Sequence, residues 1–208
     1  MATPEFDLYL VTDRTQTGGR DLLWVLEQAL EGGARAIQLR EKDLSGKALF
    51  ELAEKICGLC ERYRAQLFIN DRLDVALAVD AAGVQIGKSS IPVEAARALL
   101  GPHKLIGYSA HSPEEALAAQ SKGADFIVFG PVYFTPSKAA YGAPQGLEAL
   151  KKIVEIIGVP VYAIGGVKLA NVDELRNAGV RGVALISAII GAAQPKEATE
   201  SILRSLRR

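Results

Sequence analysis

The sequence alternates short runs of β-branched and other apolar residues with longer stretches in which apolar residues recur every three or four positions. The short runs are typical of buried strands, and the longer stretches are typical of amphipathic helices. The strand pattern occurs eight times, at Leu8–Val11, Ala36–Leu39, Gln66–Ile69, Gly83–Ile86, Lys104–Tyr108, Phe126–Phe129, Val159–Ile164 and Gly182–Ile186. The helical pattern lies between and after them, at Leu22–Leu30, Ala48–Tyr63, Leu73–Val79, Val93–Leu100, Glu114–Lys122, Leu147–Ile157, Val172–Ala178 and Ala198–Leu206.

Strands that alternate with helices in this way build a parallel sheet. Eight units in 208 residues leave about 26 residues for each strand, its helix and two short loops. A closed barrel has no exposed sheet edges, so eight units favour a barrel over an open doubly wound sheet. The sequence therefore predicts an α/β protein with a single (β/α)8 TIM-barrel domain over residues 1–208.

The composition argues against several classes of protein. Hydrophobic residues make up 49% of the chain, too many for a disordered protein, and 24 basic side chains balance 24 acidic ones. Nucleic-acid binding usually needs a basic surplus. No apolar run reaches the roughly 18 residues of a membrane span, and the N-terminus lacks the basic start of a signal peptide. We expect a soluble cytoplasmic protein that binds neither nucleic acid nor membrane. The sequence leaves open whether the protein forms a homo-oligomer.

The barrel prediction also indicates where chemistry should occur. TIM-barrel active sites lie at the C-terminal ends of the strands and in the loops that follow. Polar residues directly after each apolar run are therefore candidates. They are Thr12 and Asp13, Gln38, Arg40 and Lys42, Asn70 and Asp71, Lys88 to Ser90, Ser109 and His111, Thr135, Ser137 and Lys138, Gly165 and Gly166, and Ser187.

Three cations in this set come from two loops. Strand alternation sends Gln38 and Arg40 to the same face, and Lys42 follows. Two cations and an amide at a strand end are atypical of packing residues. The Thr135-Pro136-Ser137-Lys138 segment combines two hydroxyls with an ammonium, which suits a phosphate or diphosphate. In each case the alternative interpretation is a solvated polar loop.

The last two strands carry a second anion signal. Gly165-Gly166 follows the seventh strand and allows close approach of the backbone to a ligand, and Ile186-Ser187 precedes a further helix whose free N–H groups favour an anion. The loops after strands seven and eight are the recurrent phosphate site of this fold. The alternative is that the glycines only permit a tight turn.

A carboxylate follows the third strand at Asn70-Asp71. Near a diphosphate, Asp71 would suit Mg²⁺, which typically binds through one or two carboxylates plus substrate oxygens. Aspartate is also a favoured helix cap, and a helical stripe begins at Leu73. Both roles are compatible with the sequence.

Eight segments in barrel register carry a resemblance to a known superfamily. They are LYLVTDR (8–14), GGARAIQLREKD (32–43), FINDRLDVAL (68–77), GVQIGKSS (83–90), IGYSAHSPEEA (106–116), GADFIVFGPVYFTPSK (123–138), VPVYAIGGV (159–167) and AGVRGVALISAI (178–189). Together they resemble the thiamine phosphate synthase and thiazole tautomerase superfamily, and most of all its thiamine phosphate synthases. The resemblance implies that 4-amino-2-methyl-5-hydroxymethylpyrimidine diphosphate is joined to hydroxyethylthiazole phosphate or its carboxylate through a pyrimidine cation, with diphosphate as the leaving group.

The resemblance also implies roles for individual residues. The pyrimidine diphosphate would be held by Gln38, Arg40, Lys42, Asn70, Ser109 and Lys138. The thiazole phosphate would be held by Thr135, Ser137, Gly166, Ile186 and Ser187. Asp71 would bind Mg²⁺, and catalysis would depend on Arg40, Lys42, Ser109 and Lys138.

One segment departs from the family pattern. After strand four the family usually reads Gly-[Ile/Val]-His-[Leu/Ile]-Gly-Gln-x-Asp, whereas this chain has GVQIGKSS at 83–90. The second magnesium carboxylate would fall at Ser90, and a neutral hydroxyl is a poor replacement for it. Lys88, in place of the usual Gln, would supply positive charge where the metal is held less firmly.

The same departure supports a rival function. The related thiazole tautomerases share the barrel, lack the metal pair and use a histidine in the segment after strand five, where this chain has His111. A histidine of ordinary pKa suits such acid–base isomerisation. A catalytically silent phosphate-binding barrel is a third reading. The intact QLREK, Asn70-Asp71 and Thr-Pro-Ser-Lys segments favour the synthase.

Overall fold

Eight parallel strands pair in sequence order and close into a barrel, with the last strand returning to the first. The computed structural model describes residues 4–135 and 143–208. The strands are β1 (Leu8–Val11), β2 (Ala36–Leu39), β3 (Gln66–Asn70), β4 (Gly83–Gly87), β5 (Leu105–Ala110), β6 (Phe126–Phe129), β7 (Val161–Ala163) and β8 (Gly182–Leu185). The predicted α/β class and TIM barrel are confirmed.

Helices follow the strands along the described chain and cover the outside of the barrel. They are α1 (Leu22–Glu31), α2 (Gly46–Arg62), α3 (Leu73–Ala78), α4 (Val93–Leu100), α5 (Pro113–Ser121), α6 (Gly146–Ile156), α7 (Val172–Asn177), α8 (Ser187–Ile190) and α9 (Pro195–Leu206). The predicted further helix after β8 is α8. Helix α9 begins three residues before the predicted Ala198, because Pro195 occupies the first turn, where proline is favoured.

The barrel interior is filled by an aromatic cluster that defines the floor of the mouth. Its members are Phe6, Tyr9, Phe68, Phe126 and Tyr162, each at most 2% exposed. Ring centroids lie between 4.8 and 6.4 Å apart, mostly in edge-to-face pairs, the arrangement that aromatic quadrupoles favour. Because these side chains fill the interior, the ligand site of a TIM barrel is expected above this layer, at the C-terminal strand ends. None of the helices in the described ranges has the length and apolar character of a membrane span.

Candidate active site at the barrel mouth

Polar side chains replace aromatic ones directly above the floor. Gln38 on β2 and Gln85 on β4 are buried, whereas Ser109 on β5 is half-buried. The Gln85 Nε2 group donates to Ser109 Oγ at 2.9 Å. Strand register sets Asn70 on β3 level with Gln85. The structure thus places three sequence-predicted residues, Gln38, Asn70 and Ser109, at the same end of the barrel.

The loop after β2 presents Arg40 and Lys42. The Arg40 backbone N–H donates to Thr12 Oγ1 at 2.9 Å, and the Thr12 N–H donates to the Gln38 carbonyl at 2.9 Å. Thr12 is completely buried. It therefore joins the ends of β1 and β2, whereas the Lys42 side chain is exposed at the rim.

Arg40 also acts on Asp13, the acidic residue after β1. Burial raises the pKa of the Asp13 carboxyl, but hydrogen bonds from Thr15 and Gln16 and the charge of Arg40 outweigh that effect, so the pKa falls below its ordinary value. The side chain also caps the short 3-10 helix Arg14–Gln16. Asp13 thus stays ionised near Arg40, with its oxygens committed to its own loop.

A salt-bridge network holds the cationic loop in place. The Arg14 backbone N–H and Nη1 donate to the two oxygens of Glu41, both at 3.0 Å, and its guanidinium also binds Asp43 bidentately. This pairing lowers the pKa of Asp43. The Glu41 side chain is only 3% exposed, and a buried carboxylate needs such compensation. The loop after β1, residues 12–21 and called loop one below, thereby fixes the segment that carries Arg40 and Lys42.

Asp71 lies beyond β3 in a strained conformation. Its φ of 60° falls in the left-handed region, which a non-glycine residue occupies at a cost of about 1–3 kcal/mol and often at functional sites. Asn70 Nδ2 donates to its Oδ2 at 2.8 Å, and the Ser90 hydroxyl donates to its Oδ1. Helix α3 begins at Leu73 with Arg72 as its cap residue and no side-chain cap. The prediction that Asp71 also caps this helix is therefore wrong.

Asp71 and Ser90 form an oxygen cluster that fits Mg²⁺. The side chain of Ser90 touches Asp71, so the sequence-based placement of position 90 beside the first carboxylate agrees with the fold. Mg²⁺ prefers hard oxygen ligands and can be held by one carboxylate plus substrate phosphates. Among the described residues, no group of three or more acidic, histidine or cysteine side chains could enclose a metal. The donor set suits an ion shared with a substrate.

The loop after β6 packs along the loop after β7. The Val132 N–H donates to the Ile164 carbonyl at 2.8 Å, and the Tyr133 N–H donates to the Gly165 carbonyl at 3.0 Å. Gly166 has a φ of 66°, and a Cβ there would lie 2.7 Å from the Tyr133 Cβ. The close approach that the paired glycines allow is thus made by the neighbouring loop. Contact of Gly166 with a phosphate stays a prediction.

This packing leads the chain to Thr135, the last residue that the structure describes before position 143. The other two residues predicted in the same segment, Ser137 and Lys138, lie outside the described residues. Their proposed contacts with phosphate and diphosphate therefore stay predictions.

The chain after β8 forms the four-residue helix α8. Ile186 is its cap residue and packs partly against the aromatic cluster of the barrel interior, and Ser187 is its first residue. Arg20, from loop one, donates to the Ile190 and Ala192 carbonyls at 2.9 and 2.6 Å at the other end of the helix. Loop one therefore anchors this segment as well as the cationic loop.

His111 follows β5 with a defined orientation. Its Nδ1 makes a hydrogen bond to the Gly130 carbonyl. A carbonyl only accepts, so Nδ1 carries the proton, and Nε2 is the basic nitrogen of the neutral ring. Glu115 accepts from the His111 backbone N–H at 2.9 Å and lies 3.6 Å from Lys88 Nζ. Glu115 thus partly neutralises the positive charge that Lys88 adds to the loop after β4.

Three residues of the mouth were not singled out as site residues by the sequence: Arg14, Glu41 and Gln85. In the sequence, Arg14 and Glu41 look like ordinary charged loop residues. They are 27 positions apart, and only the folded barrel brings them into contact. Gln85 had a usable signal, because it is a polar residue inside the otherwise apolar GVQIG strand. A buried amide within a strand indicates an inward polar contact.

A closed (β/α)8 barrel with a polar, cation-bearing mouth is the arrangement typical of TIM-barrel enzymes. The sequence model described as "Thiamine monophosphate synthase" matches residues 8–189. The chain belongs to the thiamine monophosphate synthase family, as the resemblance in its sequence predicted.

Individual relatives agree over the whole chain. A "Putative thiamine-phosphate synthase" of Geobacter sulfurreducens is 53% identical over 206 residues, covering 99% of this chain and 97% of the relative. A "Thiamine-phosphate synthase" of Pyrococcus abyssi is 45% identical, covering 94% and 92%. The solved structure of a thiamine phosphate pyrophosphorylase from Pyrococcus furiosus superimposes with a TM-score of 0.89 at 42% identity, covering 97% of this chain and 96% of that one.

Proposed function

We propose that this protein is a thiamine-phosphate synthase. It joins 4-amino-2-methyl-5-hydroxymethylpyrimidine diphosphate to hydroxyethylthiazole phosphate and releases thiamine phosphate and diphosphate. With the thiazole carboxylate as substrate, carbon dioxide is released as well. The observation that carries the proposal is near full-length similarity to proteins named thiamine-phosphate synthase, at up to 53% identity in the relatives compared. The strand-end positions of Gln38, Arg40, Asn70 and Ser109 support it, since these residues converge on one mouth.

The reaction needs charge stabilisation more than proton transfer. The bond between the pyrimidine methylene carbon and the diphosphate oxygen breaks, and its electron pair leaves with the diphosphate. The thiazole nitrogen then gives its lone pair to the methylene carbon and forms the new C–N bond. Arg40 and Lys42 stabilise the negative charge that develops on the leaving group, as preorganised cations do in a restricted site. Arg14 and Glu41 keep these cations in position.

The remaining contacts are those that the family resemblance implies. Gln38, Asn70 and Ser109 bind the pyrimidine diphosphate, and Lys138 binds its phosphates. The thiazole phosphate lies against the loops after β6, β7 and β8, where its ligands are Thr135, Ser137, Gly166, Ile186 and Ser187. Holding the two rings side by side makes the trapping step effectively intramolecular.

Asp71, assisted by the Ser90 hydroxyl, would hold Mg²⁺ in this scheme. The ion would neutralise part of the diphosphate charge and so make it a better leaving group. We also place the protein in the cytoplasm, because its two cysteines are both free thiols, which suits a reducing compartment.

A second candidate is a thiazole tautomerase, and the orientation of His111 favours it. With Nδ1 held by the Gly130 carbonyl, Nε2 is the ring nitrogen left for a ligand. Such a nitrogen could exchange a proton with a thiazole ring held nearby. The synthase is preferred, because the compared relatives of this chain bear that name.

The two functions differ in their dependence on His111. For a synthase, His111→Ala should reduce thiamine phosphate formation only by a small factor, because diphosphate departure uses cations and no titrating base. For a tautomerase the same change removes about the 10²–10⁴-fold that a general acid–base contributes. The measurement is thiamine phosphate formation from both substrates with Mg²⁺, beside isomerisation of the thiazole carboxylate alone. Isomerisation without ring joining, abolished in His111→Ala, would contradict the synthase.

A further inference from the structure

Gln85 is a buried amide directly beneath the pyrimidine end of the mouth. It is 2% exposed and lies inside β4, where strand register sets it level with Gly107 on β5. Its Nε2 donates at 2.9 Å to Oγ of Ser109, which lies two residues beyond Gly107 on β5, nearer the mouth. None of the roles assigned above explains this residue.

The two ends of the amide have different surroundings. Gln85 Oε1 is buried and has no hydrogen-bond partner among the described residues. A side chain on Gly107 would collide with this oxygen and with the Cζ atom at the edge of the Phe126 ring, so both lie beside the same point. An aromatic edge is electropositive and therefore favours the oxygen there. The amide nitrogen consequently faces Ser109.

This orientation determines which hydrogen bond Ser109 can offer. An amide N–H only donates, so the hydroxyl oxygen of Ser109 must act as its acceptor. The hydroxyl proton is therefore free to bind a different acceptor. Because Ser109 is half-buried at the mouth, that acceptor can belong to a ligand. An amide does not titrate in the physiological range, so this polarity does not change with pH.

We propose that Gln85 is a positioning residue that fixes the Ser109 hydroxyl as a hydrogen-bond donor to the pyrimidine substrate. The site then selects a ring with an unprotonated nitrogen, an acceptor, opposite Ser109. The inference rests on the proposed function, because it takes the aminopyrimidine diphosphate as the ligand. It also accounts for Gly107, since any side chain there would occupy the space of the amide.

The test measures binding of the aminopyrimidine diphosphate and of two analogues in which one or the other ring nitrogen is replaced by C–H. Wild-type protein should bind one analogue about tenfold more weakly than the parent compound, the factor expected for one lost hydrogen bond. In Gln85→Leu this ratio should fall below threefold, because Ser109 is no longer oriented. Ser109→Ala should show the same loss, and the double variant should show no further change.

Two further measurements separate positioning from general damage. In Gln85→Glu the carboxylate only accepts, so the Ser109 proton turns inward and binding of the parent pyrimidine should weaken about tenfold. Binding of the thiazole phosphate should stay unchanged in both Gln85 variants. This second variant keeps the shape of the side chain if Gln85→Leu fails to fold.

The outcomes also separate this inference from the proposed function. Undiminished discrimination in a folded Gln85 variant, or equal binding of all three ligands by the wild type, overturns the role of Gln85. Wild-type protein that binds the pyrimidine diphosphate with the expected discrimination but never forms thiamine phosphate supports the positioning role and overturns the synthase. Absence of any pyrimidine binding overturns both.

Discussion

Replacing Arg40 by alanine should lower the turnover of thiamine phosphate formation by roughly two or more orders of magnitude, the usual cost of losing a fixed electrostatic stabiliser. The guanidinium is a cation at the end of β2, and its backbone is held separately by Thr12. The side chain can therefore be removed without disturbing the strand. The rate is measured with both substrates saturating, and the far-UV circular dichroism spectrum should be unaltered.

Arg62→Ala is a matched control for this change. Arg62 is an exposed arginine, whereas Arg40 is half-buried, and it lies at the C-terminal end of α2, where it pairs with Glu27 at 3.3 Å. Its removal should leave turnover near that of the wild type. A wild-type rate in Arg40→Ala would remove Arg40 from the diphosphate site. Lys138→Ala should lower turnover by the same roughly two or more orders of magnitude as Arg40→Ala.

Asp71→Asn should raise the Mg²⁺ concentration at half-maximal rate by at least about tenfold, since it removes the one carboxylate of the proposed metal site. Asparagine tolerates a positive φ at least as well as aspartate does, so the conformation of residue 71 should survive. The measurement is a Mg²⁺ titration of the rate. Asp74→Asn, the same change three positions along on α3, should leave the titration curve unmoved. Unchanged Mg²⁺ dependence in Asp71→Asn would end the metal role of Asp71.

Ser90→Asp provides the converse of this experiment. The Ser90 hydroxyl already contacts Asp71 and accepts from the Gly87 N–H at 2.8 Å. A carboxylate at the same position would add a second charged oxygen ligand. We expect it to lower the Mg²⁺ concentration at half-maximal rate, and a higher requirement would contradict the shared site.

The barrel was predictable from the sequence because each unit repeats the same local signals. Strands β1, β2 and β6 match the predicted ranges, and so does α4. The seventh strand is shorter than predicted, Val161–Ala163 instead of Val159–Ile164. Its later start is explained by Pro160, which has no N–H to donate to a sheet ladder. Such differences concern element ends, where local propensity is weakest.

The site was predictable only as far as the strand-end rule reaches. That rule placed Gln38, Asn70 and Ser109 at one mouth, because parallel strands all end there. It could not show that Arg14 compensates a buried Glu41, since that contact depends on how two loops fold over the barrel. The rule also could not show that Asp71 has a left-handed backbone conformation. Nor could it show that the Asp71 side chain does not cap helix α3.

The most direct test of the account is the stoichiometry of the wild-type reaction. Purified protein is supplied with the pyrimidine diphosphate, the thiazole phosphate and Mg²⁺, and thiamine phosphate and inorganic diphosphate are quantified in the same samples over time. We predict that both products accumulate in a one-to-one ratio and that neither forms when the thiazole phosphate is omitted. No product at all, or no thiamine phosphate from a protein that isomerises a separately supplied thiazole carboxylate, would contradict the account.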